Sequence, residues 1–408
     1  MGVGAWRGVL GAAVVGGVLL VSMPVGAAPK NCKNSGSFAT WKVQFQREAI
    51  ARGIPRAVVV SALGPITFDA NIIKNDRRQA VFSQSFLQFA GRMVAQYRLQ
   101  GGAKRLQRRR SIFKKIERIY GVPGPVIAGF WGLETDFGAN IGKLPVLRSL
   151  ATLAYDCRRP ELFRPQLFAA LRIIERGDLT AGQMVGAWAG ELGQTQFLPS
   201  DYLKNGVDFD GNGRIDLLRS VPDVLASTAN LLKKLGWQRG QPWMREVRVP
   251  AKMNWELADL TVTRPGAAWA RMGVRLANGA PLPAGKLTAS LLLPMGRLGP
   301  AFLVYPNFRV YLKWNQSLTY STTAAYFATR LAGAPKVRTS NARVTPLSLA
   351  QTKALQRRLV ALGYDVGGVD GIIGAATRAA VKAVQLRLKL AADSYPTTAL
   401  LKRLSSLR

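Results

Sequence analysis

The sequence predicts a mainly α protein of the α+β class: a helical core with a small β-containing subdomain, followed by a separate helical module. Three observations carry this. Apolar residues recur at helical spacing across 37–120 and again over Thr319–Leu331. Between 240 and 310 the pattern changes to short apolar segments separated by Gly and Pro. The stretch 333–345 (GAPKVRTSNARVT) lacks apolar periodicity and sets off the last part of the chain as a linker would. A length of 408 residues with 48% hydrophobic residues suits two or three packed domains.

The elements follow in order. Arg7 precedes an uncharged run, Gly8–Met23, with Pro24 and small residues through Ala28. This reads as a signal peptide over 1–28, cleaved after Ala27 or Ala28. The alternative, a membrane anchor, needs roughly 20 apolar residues, more than the run supplies. Export would place the mature chain in the periplasm or outside the cell, with no integral membrane segment. It would also permit a Cys32–Cys157 disulfide, the only pairing two cysteines allow. Phe38, Trp41, Val43, Phe45, Ala49 and Ile50 mark a first amphipathic helix, which Gly53-Ile54-Pro55 stops. Helices are expected around Gln79–Met93 and Ser111–Tyr120. The Arg/Lys-dense stretch 101–118 reads as a solvated helix face. Strands or loops are expected at Glu246–Pro250, Leu287–Leu293 and Ala301–Tyr305.

Composition narrows the chemistry. The chain has 57 Lys+Arg against 22 Asp+Glu, a formal charge of +35, and no histidine. The charge points to an anionic partner: nucleic acid, a membrane surface or an acidic polymer. Without histidine there is no Ser-His-Asp or Cys-His nucleophile, no His-ligated metal and no imidazole shuttle. Catalysis is left to Asp, Glu, Lys, Tyr, Ser or a hard cation.

The most informative segment is Gly121–Gly142, GVPGPVIAGFWGLETDFGANIG. Pro123 and Pro125 suit a helix start and Gly138 its end. Glu134 is the only charge in an apolar helix and lies i+4 from Phe130 and i+3 from Trp131. A carboxyl held among large apolar groups has its ionised form disfavoured, which suits a general acid. From spacing alone a capping or solvated glutamate is the competing reading.

WGLETDFG (Trp131–Gly138), LATLAYDCRRPELF (Leu150–Phe163), GAWAGELGQTQFLPSDY (Gly186–Tyr202), VPDVLASTANLLKKLGW (Val221–Trp237) and GPAFLVYPNFRVYLKWNQS (Gly299–Ser317) resemble, in order and spacing, the segments of the lytic murein transglycosylase B family. The resemblance spans about 37–332. It implies a lysozyme-like helical catalytic core that cleaves the MurNAc–GlcNAc β-1,4 bond of peptidoglycan without water and without a catalytic cofactor. Glu134 would act first as acid, then as base, closing a 1,6-anhydro ring. By the resemblance, Gln196 matches a position lining the sugar groove, Asn315 and Tyr320 match positions near the catalytic centre, and Trp314 stands where some members carry Tyr; core packing is the competing role for Trp314 and Tyr320. Two departures stand out: Ala187 replaces Ser, removing a hydroxyl, and Glu191 replaces Ala. Glu191 is either a salt-bridged structural residue or a second carboxylate that turns the chemistry towards hydrolysis.

Asp208–Asp216, DFDGNGRID, fits a calcium-type loop with Gly213 at the sharp turn. Asp208, Asp210 and Asn212 would give side-chain oxygens, Arg214 a carbonyl, and Asp216 a direct or water-mediated ligand. Arg219 stands where an EF-hand has its bidentate Glu; the resemblance offers Asp223 instead, for a structural Ca2+. An Asx-rich turn is the alternative.

Residues 346–408 carry LQRRLVALGYDVGGVDGIIGAATRAAVKAVQ, which resembles a three-helix peptidoglycan-binding module. Its second half departs from the usual repeat, surviving only as Asp393 and TTALLKRL. Tyr364, Asp370, Gly371 and Thr377 match the motif, as ligand contacts or as turn-holders. The expected domains are thus 1–28, 37–332, a linker 333–345, and 346–408, with peptidoglycan glycan strands as partner. An inert murein-binding scaffold is the alternative from another class. A nucleic-acid binder rests on charge alone and finds no supporting motif. Cleavage of the leader removes only Arg7, so the basicity belongs to the mature chain, where the anionic cell wall is the expected counter-charge.

Overall fold

The computed structural model describes residues 34, 36–77, 84–283, 285–338 and 344–405. The expected signal peptide and Cys32 lie outside them. Cys157 lies within them and is disulfide-bonded.

Six helices lead in: α1 (Phe38–Ala51), α2 (Arg56–Leu63), α3 (Ala70–Arg77), α4 (Phe86–Met93), α5 (Gln96–Arg108) and α6 (Arg110–Tyr120). On α1, Trp41, Phe45 and Ala49 recur every four residues and turn inward, and Ser37 caps the start by accepting from the Thr40 amide (3.2 Å). Ser85 and Gln88 form a capping box on α4. The basic stretch 101–118 is two helices, broken at Arg109.

The central helix α7 (Gly124–Thr135) begins after Pro123 and buries every residue but Pro125. A helix apolar all round belongs in a core, and this one lies in the middle of it. Its end is forced: Asp136, Phe137 and Gly138 all take left-handed backbone (φ 55°, 63° and 89°). Left-handed backbone costs a non-glycine residue about 1–2 kcal/mol. Asp136 offsets this by accepting from Arg98 Nε and Nη2 (3.0 and 3.2 Å) and from the Tyr97 hydroxyl (3.0 Å).

The chain continues through β1 (Leu144–Pro145), α8 (Val146–Tyr155), α9 (Pro160–Arg176), β2 (Val185–Gly186), α10 (Pro199–Asn205) and α11 (Val221–Lys234), with β1 antiparallel to β2. Then come β3 (Met244–Arg248), β4 (Arg264–Pro265), α12 (Gly266–Arg271), β5 (Arg275–Leu276), β6 (Thr288–Leu292) and β7 (Ala301–Val304), an antiparallel sheet in the order β4-β6-β7-β3-β5. β7 is buried on both faces. Phe302 and Val304 join the helical core, while Ala301 and Leu303 join a second core built around Trp269. One strand thereby welds sheet to helices, and the continuous apolar run AFLV is the consequence.

Next, α13 (Phe308–Trp314) and α14 (Leu318–Leu331) close the helical core, and α14 packs along α7. A Cβ on Gly132 of α7 would come within 2.7 Å of Phe137 and 2.8 Å of Phe327. Glycine is what lets the two helices approach there.

The last module is α15 (Leu349–Ala361), α16 (Ala375–Arg387) and α17 (Thr398–Ser405) around Leu355, Leu359, Val381, Val384 and Leu404. Its two halves are locked alike. Gln356 donates to Asp370 Oδ1 (3.0 Å) and accepts from the Gly371 amide (2.7 Å). Gln385 donates to Asp393 Oδ1 (2.9 Å) and accepts from the Ser394 amide (2.9 Å). The repeat that departs in sequence is kept by a Gln–Asp pair, with Ser394 left-handed (φ 61°) where the first half has Gly371 (φ 86°). Asp370 and Thr377 both bond within the turn, Asp370 Oδ1 to the Ile372 amide and Thr377 Oγ1 to the Val366 carbonyl.

The module sits against the sheet. Lys382 pairs with Asp259 (2.8 Å), Arg378 Nη2 donates to the Leu293 carbonyl (3.0 Å), and the Arg297 amide donates to Asp393 Oδ2 (3.0 Å). Within the expected linker, Val337 is buried and the Arg338 amide donates to Glu246 Oε1 (2.9 Å). One buried valine is too little for a periodic pattern, so nothing in the sequence marks this docking. Among the described residues no helix is long and apolar enough to cross a membrane.

Candidate active site

Glu134, near the end of α7, is 3% exposed. Its Oε1 accepts from Trp314 Nε1 (2.9 Å) and from the Tyr320 hydroxyl in a short contact. Both donors come from the α13–α14 corner, where Asn315 breaks the helix in extended backbone (φ −146°) and Ser317 caps the next one by accepting from the Tyr320 amide. Asn315 Oδ1 accepts from the Ser317 amide (2.9 Å), and Ser321 Oγ donates to the Asn315 carbonyl (2.6 Å). Asn315 therefore shapes the corner that aims Trp314 and Tyr320. Phe130, one turn before Glu134, lies against the Trp314 ring at 4.3 Å and holds the indole in place. Burial, with the Glu134 charge beside it, holds the Tyr320 phenol well above its usual range, so it remains a proton donor in the hydrogen bond.

The loop between β2 and α10, residues 187–198, flanks this cluster. Phe197 meets the Trp314 ring edge-on at 5.9 Å. Gln196 takes left-handed backbone (φ 53°), and its Nε2 donates to the carbonyls of Gly193 (2.9 Å) and Ile141 (3.2 Å). A strained backbone held by its own side chain is a feature of positioned site residues.

Two residues that motif reading passed over tie the loop to the helix. Thr135 Oγ1 donates to the Gln194 carbonyl (2.6 Å) and accepts from the Gly138 amide (2.9 Å). Gln194 Oε1 accepts from Trp131 Nε1 (2.8 Å), and its Nε2 donates to the Leu218 carbonyl (2.9 Å). Their place inside WGLETDFG and GQTQF was the one available signal.

Glu191 is 1% exposed. It forms no ion pair among the described residues, and neither carboxyl oxygen has a hydrogen bond of good geometry, although its own amide and that of Ala189 lie beside it. Burial pushes this carboxyl up to about 7; the Glu134 charge adds to the rise and Arg159 opposes it. Arg159 pairs instead with Asp76, as does Arg158. The salt-bridged role considered for Glu191 is not the arrangement found. Ala187 offers no hydroxyl; its amide donates to the Glu191 carbonyl (3.1 Å).

In the calcium-type loop, carboxylate oxygens of Asp208, Asp210 and Asp223 lie within 4.8 Å of one another. Asp208 accepts from the amides of Gly211, Asn212 and Gly213, and the fully buried Asp223 from those of Phe209, Asp210 and Asp216. Asn212 Oδ1 accepts from the Arg214 amide (3.0 Å). Asp216 stands outside the trio, and its Oδ1 caps the next turn at the amides of Leu218 and Arg219. Three carboxylates so close repel unless a cation joins them, and an all-oxygen set is the donor chemistry of Ca2+.

The family model described as transglycosylase SLT domain matches residues 37–329, and a peptidoglycan binding domain model matches 348–404. The crystal structure of SltB3 from Pseudomonas aeruginosa in complex with NAG-anhNAM-pentapeptide is similar, with TM-score 0.86 and 42% identity over 91% of this chain and 100% of that one. Escherichia coli Slt35 in complex with calcium is similar with TM-score 0.61 and 25% identity, over 71% of this chain and 92% of that one. Membrane-bound lytic murein transglycosylase B of Escherichia coli (strain K12) is 28% identical over 240 residues; the match spans 58% of this chain and 64% of that relative. The helical core with its small sheet is the fold these structures share.

Proposed function

We propose that this chain, which belongs to the transglycosylase SLT domain family, is a peptidoglycan lytic transglycosylase that cleaves the MurNAc–GlcNAc β-1,4 bond and leaves 1,6-anhydro-MurNAc ends. The observation that carries the reading is the buried Glu134, held on one oxygen by Trp314 and Tyr320, in a chain 42% identical to a structure containing an anhydro-sugar peptide. Glu134 protonates the glycosidic oxygen, and the C1–O bond breaks with GlcNAc leaving as the alcohol. The carboxylate then takes the proton of the C6 hydroxyl as that oxygen bonds to C1. Glu134 ends protonated and no water is consumed. One carboxyl serves both steps, where most glycosidases divide them between two. Positive charge at C1 is met by the sugar's own N-acetyl group and by neutral dipoles. With so little water at the carboxyl, the proton is exchanged with the sugar rather than with solvent.

Gln196, Trp314, Asn315 and Tyr320 line and orient the sugar site, and the C-terminal module retains the enzyme on glycan strands. Asp208, Asp210 and Asp223, with carbonyl and amide oxygens of the loop, hold a structural Ca2+ with no part in the chemistry. The chain acts after export, in the periplasm or outside the cell. A hydrolytic muramidase is the second reading, favoured by the unpaired carboxyl of Glu191. In a murein zymogram the parent chain clears the gel and Glu134→Gln clears none, with its Tm retained within about 2 °C. Clearing by the variant overturns the assignment, and no clearing by the parent chain favours an inert murein-binding scaffold.

A further inference from the structure

A hollow of about 430 Å³ opens on the side of α7 where Trp131 lies, between α5 and the start of α11. Lys104, Arg105, Arg108 and Arg109 line it, over Trp131 and Phe137. Among the described residues none of these four cations is in an ion pair. Asp136, whose charge acts on Arg105, is committed to Arg98 and Tyr97.

The arrangement works against the helices that carry it. Lys104 with Arg108 and Arg105 with Arg109 are like charges at i,i+4, each pair disfavouring a helix by about 0.2–0.5 kcal/mol. The last-turn position of Arg105 and Arg108 on α5 recovers part of this through the helix dipole. Arg109, at the junction, gains at the C-terminal end of α5 and loses at the start of α6, where cations are disfavoured. Arg105 is also held rigidly: its guanidinium lies 4.4 Å from the Phe137 ring centre and 5.6 Å from that of Trp131, and its Nη1 donates to the Gly101 carbonyl (3.2 Å). Burial, with Arg109 and Arg108 nearby, keeps this guanidinium below its usual range. A bound anion would relieve the crowding.

We propose that this hollow is a binding site for a phosphate group, free or as an ester. Four converging cations outnumber what one carboxylate can neutralise, whereas a phosphate brings up to two charges and at least two acceptor oxygens to the forks of the arginines. The volume suits a small ligand. Glu134 does not line the hollow, and the site rests on none of the catalytic assignments.

The test is calorimetric titration of the full chain at pH about 8, where both inorganic phosphate and its esters are largely dianions, in about 0.15 M salt. Inorganic phosphate, glycerol 3-phosphate and acetate are the titrants. Saturable binding of phosphate at one site is expected, with acetate at least about tenfold weaker. Lys104→Gln/Arg108→Gln, both at exposed positions, weakens it about tenfold or more. Arg47→Gln/Arg56→Gln removes the same charge from exposed positions elsewhere and changes affinity less than about twofold. Tighter binding of glycerol 3-phosphate than of phosphate identifies an ester as the ligand, and equal or weaker binding identifies the free ion. An equal loss in both double variants, acetate binding as well as phosphate, or no saturable binding overturns the site.

Discussion

Glu191 is a buried carboxyl without an ion-pair partner among the described residues, and that gives it a measurable signature. Unfolded, it ionises near 4.5; folded, burial moves this to about 7. Between those values the folded chain binds the extra proton. Its contribution to stability is full below about 4.5 and is lost as pH rises through 7. Glu191→Gln stays neutral throughout, so its Tm gains on the parent between pH 4.5 and 7 and then holds level. The gain is worth on the order of 3 kcal/mol. Parallel Tm profiles across that range would contradict a raised carboxyl. At this scale the sequence was informative where a residue's role is local chemistry. Glu134 stood out as the lone charge in an apolar helix, and the motifs placed Trp314 and Tyr320 beside it. Gln194 and Thr135 did not stand out, because their bonds join positions about sixty residues apart, and no spacing rule reaches that far.

Among the elements, the loop Asp208–Asp216 makes the sharpest claim. If Ca2+ joins Asp208, Asp210 and Asp223, saturating Ca2+ raises Tm by about 5 °C and EDTA reverses it. Asp208→Asn removes most of that response, and Mg2+, which dehydrates reluctantly, gives less of it. A Tm indifferent to Ca2+ and EDTA leaves only an Asx-rich turn. Helices with periodic apolar faces were legible, since Trp41, Phe45 and Ala49 mark α1 without help. The segments expected as strands or loops overlap β3, β6 and β7. The break at Arg109 was not legible, because Arg suits a helix interior as well as a boundary. The second lock of the C-terminal module was hidden for a related reason: Ser394 takes a left-handed position that a pattern search assigns to glycine.

At the scale of the molecule, composition had already fixed what the chemistry lacks. No histidine is present, and the buried group that the fold assembles donors around is a glutamate. The division into helical core, sheet and terminal module could be read from changes of period. Their docking could not. It rests on single contacts, Lys382 to Asp259 and Arg378 to the Leu293 carbonyl, that leave no trace in local pattern. The central claim is that Glu134 both gives and takes the proton, with the sugar's own C6 hydroxyl in place of water. Mass spectrometry of the fragments released from purified sacculi tests it most directly. The account predicts that the parent chain yields 1,6-anhydro-MurNAc ends and that Glu134→Gln releases nothing. Reducing MurNAc ends, one water heavier, would contradict it and point to Glu191 as a second working carboxylate.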